Sequence, residues 1–387
     1  MTGKTDHAPA TESLRDTALE AARKLAQWHV DAVRRYAPVA VKEGCFPFYI
    51  PPTGEIIGAY QWNLAFGIMG LLSAEKVLGG DGRFGETARI MAEYLKTLQI
   101  PEDDPSGMGG AIREQLPTTR WCYVRDGLSG AWGFLEYYRA TGDREYLRRA
   151  ILWAEWFLRH GLDETGWPKW GVVLEPIPAE EEKTLMCPDM HGCFQGGCLN
   201  FFYHLALETG DERWTGPFFR HIADYFCDVI QQPDGLYRTV DKRTGKVPEN
   251  DPQNGLHRIN DDLGSLGLLC AYRVTHSQKY LDAVTRYLTA AAKAQKPDGH
   301  FESSCAAIPV ALNTLFEAAK LMPTPEVDRD LALKALFARQ FDDPAKPELL
   351  GGLNELGEGS LYTRSMAYAL IYLLKIFGGD RRFLTCN

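Results

Sequence analysis

Acidic residues, arginines, histidines and aromatics recur in this chain just before or at the start of apolar segments. Gln61 and Trp62 open one such segment, and Arg120, Trp121, Arg125 and Asp126 lead into the next. Asp189, His191 and Gln195 precede a third, and His257, Arg258, Asp261 and Asp262 a fourth. His300 and Glu302 stand before a fifth, and Tyr362 and Arg364 before a sixth. Carboxyl groups gathered in a cleft raise one another's proton affinity, which favours a general acid near neutral pH. Arginine forks take carboxylates and the faces of Trp and Tyr take sugar rings, so the set suits a sugar acid. Asp126, Asp261, Asp262, Asp189 and His191 are the candidate catalytic groups. Gln61, Trp62, Arg120, Trp121, Arg125, Gln195, His257, Arg258, Tyr362 and Arg364 are the candidates for holding substrate.

Each of these residues also has a purely structural reading. Asp126 before Gly-Leu-Ser, and one member of Asp261-Asp262, suit helix caps, because an aspartate oxygen accepts the free N–H groups of a first turn. Arg120, Arg125 and Arg258 suit ion pairs between loops, and a single Trp62 suits the core.

What must position these groups is a repeat. The clearest copy, DGLSGAWGFLEYYRA-TGD-REYLRRAILWAEWFL from Asp126, returns as QGGCLNFFYHLALE-TGD-ERWTGPFFRHIADYF from Gln195 and as DDLGSLGLLCAYRV-THS-QKYLDAVTRYLTAAA from Asp261. An earlier copy starts at Gln61 and a last apolar helix at Thr363, with a period of roughly 65 residues. At the Thr-Gly-Asp joints Gly142 or Gly210 takes the left-handed helix end and Asp143 or Asp211 caps the next helix. The first helix of a copy is apolar nearly all round, so both its faces are covered; the second is amphipathic and lies outside.

Inner helices are therefore expected near 60–77, 126–140, 194–208, 261–274, 304–320 and 361–377, and outer ones near 12–36, 82–98, 144–160, 212–229, 278–295 and 327–340. Six of each close an all-α (α/α)6 toroid, a single domain over 12–387 behind a flexible segment at 1–11. The segments before the inner helices are rich in Pro, Gly and Trp. They emerge at one end, where the inner N-termini converge on a crevice.

The 387 residues are 45% hydrophobic and 24% charged, which suits a large buried core. A net charge of −9 without a Lys/Arg run leaves no basic face for nucleic acid or an anionic membrane. The first residues lack a signal-peptide pattern and no stretch is long and apolar enough to span a bilayer, so a cytoplasmic location is expected. Nine scattered cysteines suit buried, reduced thiols.

The stretch YVRDGLSGAWGFLEYYRATGDREYLRRA at 123–150 resembles the inner-outer hairpin of the unsaturated glucuronyl and unsaturated rhamnogalacturonyl hydrolases, members of the six-hairpin glycosidase superfamily. The resemblance implies a general acid/base at Asp126 and no cofactor. The second acid that family carries on the preceding inner helix is absent from AYQWNLAFG, where Gln61 and Asn63 stand. The expected activity is hydrolysis of a uronic-acid-containing oligosaccharide, of glucuronidase or unsaturated uronyl hydrolase type. A saturated substrate would pair Asp126 with Asp261 or Asp262.

Two other classes remain open: a lyase or epimerase using His191 or His257 with a Tyr, and a sugar-binding protein without catalysis. CPDMHGCFQGGC at 187–198, taken with Trp121-Cys122-Tyr123, is similar in part to the lanthionine cyclases, which would imply a zinc enzyme. Met190-His191-Gly192 replaces their Cys-His-Gly, however, and the cysteine spacings are not those of structural zinc, so no metal is expected. The oligosaccharide is the expected partner, and a homo-oligomer stays open.

Overall fold

The computed structural model describes residues 12–43, 47–50, 57–58, 61–249 and 259–387, with side chains for 12–34, 61–249 and 259–387. The expected flexible segment at 1–11, Cys45, and His257 with Arg258 lie outside these. The helices are α1 (Glu12–Glu43), α2 (Gln61–Leu78), α3 (Arg83–Leu98), α4 (Val124–Thr141), α5 (Arg144–Trp156), α6 (Ala179–Met186), α7 (Cys198–Thr209), α8 (Pro217–Tyr225), α9 (Gly264–Thr275), α10 (Gln278–Ala294), α11 (Ala307–Ala318), α12 (Arg329–Phe337) and α13 (Thr363–Gly378). Twelve match the expected ranges; α6, in the long segment before α7, was not foreseen.

The joints follow capping chemistry. Gly142 ends α4 at φ 78°, and the Asp143 side chain accepts the Glu145 N–H at the start of α5. Gly210 and Asp211 repeat the device between α7 and the turn leading to α8. A π turn extends α5 through Phe157–Gly161 and another extends α8 through Phe226–Ile230.

The inner helices α2, α4, α7, α9, α11 and α13 each touch the next around the ring, and α13 meets α2 to close it. The outer helices α3, α5, α8, α10 and α12 lean on this ring from outside, and α1 packs on α13, so the two ends of the chain supply the sixth hairpin. Trp28 Nε1 of α1 donates to Glu348 O (2.8 Å) and Arg15 Nε to Phe377 O (3.3 Å). Small residues let the inner backbones approach: a Cβ on Gly133 would lie 2.8 Å from the Ala65 Cβ, closer than real Cβ contacts allow. The core lies between the two helical layers, where Trp153 packs against Phe157 and Phe201 at ring separations of 5.2 and 5.4 Å.

Strands are confined to short pieces at the mouth: β1 (Pro47–Ile50), β2 (Ile57–Gly58), β3 (Trp121–Tyr123), β4 (Gly171–Val173), β5 (Met190–His191), β6 (Val240–Asp241) and β7 (Leu361–Tyr362). They pair antiparallel as β2-β1-β7, β3-β4 and β5-β6. Among the described residues no helix is long and apolar enough to cross a membrane.

Candidate active site

The mouth is assembled from loop residues held against the first turns of the inner helices. The Gln61 N–H at the start of α2 donates to Glu114 O (3.2 Å), and Glu114 N–H donates to Trp121 O (3.2 Å), which brings the loop before β3 under α2. Asn63 Nδ2 of α2 donates to Thr363 Oγ1 of α13 (2.8 Å). Asp126 sits in the first turn of α4, beyond the capping position, which Tyr123 occupies without a side-chain bond. The reading of Asp126 as a cap therefore fails on geometry.

Asp126 instead faces Glu114. The carboxyl of Glu114 is fully buried: Oε2 accepts the Tyr123 N–H (2.7 Å) and a Gln61 Nε2–H (3.3 Å), Oε1 meets no donor among the described residues, and the carboxyl as a whole is in hydrogen-bond contact with Asp126. Two carboxyls in hydrogen-bond contact require a proton between them. Burial lifts Glu114 well above the usual carboxylate range, and the charge and hydrogen bond of Asp126 lift it further, against Tyr123 N–H and Gln61. Burial also raises Asp126; the bond with Glu114 and the charge of Arg125 oppose this, and the charge of Asp262 adds to it.

Asp261 and Asp262 divide their roles. Both oxygens of Asp261 are taken by backbone, Oδ1 by the Leu263 N–H (3.1 Å) and Oδ2 by the Ser265 N–H (2.7 Å), so Asp261 is the acid that caps α9. Burial nevertheless pushes Asp261 up to about 6. Asp262 bears electrostatically on Asp126, Arg364 and Tyr368. Its φ of 47° and the 69° of Leu263 place two consecutive non-glycine residues in the left-handed region, strain of the kind that clusters at functional sites.

Around these acids, buried donors go unmatched among the described residues. Arg125 Nη1 bonds Ser129 Oγ, but Arg125 Nε has no partner. Arg364 Nη2 bonds Glu355 Oε1 (2.7 Å) and its guanidinium lies 5.9 Å from the Trp62 ring centroid, yet its Nε also lacks a partner, as does the buried Tyr368 hydroxyl. An unmade hydrogen bond inside a protein costs about 1–3 kcal/mol, so such a cluster leaves donors for water or a polar ligand. Trp121, its ring 4.8 Å from that of Tyr123, and Tyr362 lie partly exposed on β3 and β7 beside this cluster.

Other expected site residues are placed elsewhere. Asp189 is exposed and binds Lys242 only through its backbone carbonyl. Exposed Arg120 reaches Pro176 O (3.4 Å), and buried Gln195 ties Lys169 O (2.9 Å). His191 does have a tyrosine within reach, Tyr225 Oη at 2.7 Å from Nδ1, but Nε2 is held by Asp163 Oδ2 (2.9 Å) and the tyrosine ends an outer helix. With Lys242 also on Asp163 (3.0 Å), this network joins the loops carrying β5 and β6. His300 Nε2 accepts from Arg339 Nε (3.1 Å), and Glu302 Oε2 accepts the Ile259 N–H (3.1 Å). The zinc reading finds no support: among the described residues no group of His, Cys, Asp or Glu could hold a metal ion, and Cys193 Sγ instead accepts from Thr239 Oγ1 (3.6 Å).

Sequence reasoning passed over Glu114, Glu355 and Tyr368. Glu355, 2% exposed, also receives Ser304 Oγ (2.7 Å) and the Ser365 hydroxyl, and so orients Arg364.

No family model and no curated protein matches the chain. Solved structures do. A heparin-specific unsaturated glucuronyl hydrolase superposes with a TM-score of 0.66 at 15% identity, covering 96% of this chain and 99% of the other. The chain shares their (α/α)6 toroid fold. A family 76 glycoside hydrolase, a mannosidase from Bacteroides thetaiotaomicron VPI-5482, gives 0.65 at 15% identity over 93% of this chain and 98% of that one. Cellobiose 2-epimerase from Bacillus thermoamylovorans B4167 gives 0.63 at 13% identity over 93% and 100%.

Proposed function

We propose that this protein is a sugar-processing enzyme, a glycoside hydrolase acting on a uronic-acid-containing oligosaccharide, with Asp126 as general acid/base. The observation that carries the reading is the proton-holding contact between Asp126 and Glu114 at the mouth of the ring. A carboxyl that keeps its proton near neutral pH is what glycoside chemistry asks of an acid. The partnerless Nε–H groups of Arg125 and Arg364 supply donors for a substrate carboxylate, and the positive ends of the inner helices favour an anion there. The likeness to a glucuronyl hydrolase supports the choice of sugar, and the likeness to a mannosidase and an epimerase marks the alternatives.

On a 4,5-unsaturated uronide, Asp126 delivers its proton to C4 of the enol ether. Positive charge then develops at C5 and is shared with the ring oxygen. Water adds at C5 and returns its proton to the carboxylate. The resulting hemiketal opens, and the aglycone leaves as an alcohol. No nucleophilic residue is needed. On a saturated uronide two carboxylates must flank the bond, and Asp262 is the partner that bears on Asp126, because Asp261 is committed to its cap.

A panel of saturated and unsaturated uronide disaccharides, assayed with the wild type and Asp126→Asn, tests the proposal. Loss of the ultraviolet absorbance of the unsaturated uronide, abolished in the variant, supports hydration. Sugar release from saturated substrates alone supports the paired carboxylates. Full activity of Asp126→Asn on any substrate that turns over overturns the assignment.

A further inference from the structure

The family pattern places a second acid on the inner helix that precedes the catalytic one, and this chain has Gln61 there. In the folded molecule the Gln61 side chain reaches Glu114 instead, and Glu114 comes up from the loop before β3 to meet Asp126. Backbone anchors fix that loop on both sides of the glutamate: Glu114 N–H on Trp121 O, and Glu114 O under Gln61 N–H. Oε2 accepts from Tyr123 N–H and Gln61, Oε1 meets no donor among the described residues, and the carboxyl is in hydrogen-bond contact with Asp126.

We propose that Glu114 and Asp126 share one proton, and that Glu114 is the positioning residue that holds it in place for Asp126 to deliver to the substrate and recover from water. The inference rests on the catalytic reading of Asp126 and deepens it. Its logic is electrostatic. When Asp126 gives its proton to the substrate, two touching carboxylates, Glu114 fully buried and Asp126 partly so, are left ionised, a state each disfavours. The pair therefore draws a proton from the incoming water, whose oxygen bonds to the substrate. One proton leaves the pair and one returns, so a single dyad serves both steps.

The charges that face the pair come from several elements. Arg125 on α4 acts on Asp126 to lower its proton affinity, and Asp262, from the loop before α9, acts to raise it. Arg113, on the loop that carries Glu114, faces the same buried Cys122 as both acids. Gln61 on α2 and the Tyr123 backbone contribute hydrogen bonds and no net charge.

The decisive experiment compares Glu114→Gln, Glu114→Asp and Asp126→Asn with the wild type in two measurements. Difference infrared spectra of the resting protein at neutral pH should show a buried protonated carboxyl, which Glu114→Gln should remove and Asp126→Asn, leaving Glu114 buried, should shift in frequency. On an unsaturated uronide disaccharide, Glu114→Gln should move the basic limb of kcat/KM to lower pH by about one unit or more. It should lower kcat at neutral pH on the order of tenfold or more, with KM little changed. Glu114→Asp should recover part of both. A Glu114→Gln enzyme with an unmoved pH profile, or with equal loss at every pH, overturns the dyad. If Asp126→Asn is inactive in that case, the catalytic reading survives; if Asp126→Asn is active, that reading fails instead. Where the disaccharide is not turned over by the wild type, the infrared signal decides the dyad by itself.

Discussion

Asp261 and Asp262 are neighbours in sequence with opposite tasks, and substitution should separate them. Asp261→Ala removes the acceptor of two buried N–H groups and should lower stability by about 1–2 kcal/mol, read as a fall in the denaturant midpoint. Asp262→Asn keeps a residue type that tolerates the left-handed conformation at φ 47°, so it should fold with near-normal stability while losing activity. Equal loss of stability in both variants would contradict this division. At the same scale, Arg364→Gln removes a donor from the proposed carboxylate-binding set and should raise KM for a uronide by roughly 10-fold or more while leaving kcat nearer to normal. Which of the adjacent aspartates turns toward Asp126 was not legible in the sequence, because it depends on the consecutive left-handed residues at 262 and 263. Glu114 was not legible either. It stands in IREQLPTTRWCY, a loop without periodicity, where a glutamate is ordinarily solvated; only the Gln61 and Trp121 backbone bonds carry it inward. His191 misled for the complementary reason, since a histidine before an inner helix carries no sign that Asp163 and Tyr225 will take both its nitrogens.

At the scale of elements, the helices were far more legible than the site. Gly142 and Asp143 are local devices whose meaning depends on a few neighbouring residues, so the TGD joints and the apolar or amphipathic character of each helix were enough to number and layer them. What escaped were β3 against β4 and β5 against β6, elements defined by long-range pairing, and the short α6, all inside the segments that build the mouth. The same contrast predicts where substitutions act. Gly133→Leu would drive a side chain into Ala65 of α2 and should cost about 1–3 kcal/mol or more, with a corresponding fall in Tm. Nothing lies within 4 Å of a Cβ at Gly142, so Gly142→Ala should cost only about 1 kcal/mol, through its positive φ. A smaller Tm fall for Gly133→Leu than for Gly142→Ala would mean that α2 and α4 can move apart.

Across the whole molecule, buried acids should make stability depend on pH in a direction opposite to that of ordinary surface ion pairs. Asp261 binds its proton with an affinity raised to about 6, against about 3.9 in an unfolded chain. The stability it contributes is complete below about pH 4 and lost as pH rises through about 6, so acidification from neutral pH toward pH 5 should raise its share of Tm, against the opposite pull of buried His29 and His204, which are lowered to about 4 and about 3. Flattening of that rise in Asp261→Asn would assign it; an unchanged slope would place the effect in other groups. The end of the toroid away from the mouth is held by the segment Asp380–Asn387, which touches every inner helix: Leu72 and Ser73 of α2, Arg139 of α4, Asn200 and His204 of α7, Arg273 of α9, Asn313 and Glu317 of α11, and Lys375 of α13. Lys375, fully buried, bonds Leu384 O (2.6 Å), Asn313 Oδ1 (2.7 Å) and Glu317 Oε1 (3.2 Å), and Lys375→Ala should destabilise the protein by about 3–5 kcal/mol. With its floor laced shut in this way, the ring is a cup and not a tunnel. A chain molecule cannot thread through it, so whatever enters at the mouth must leave by the same rim.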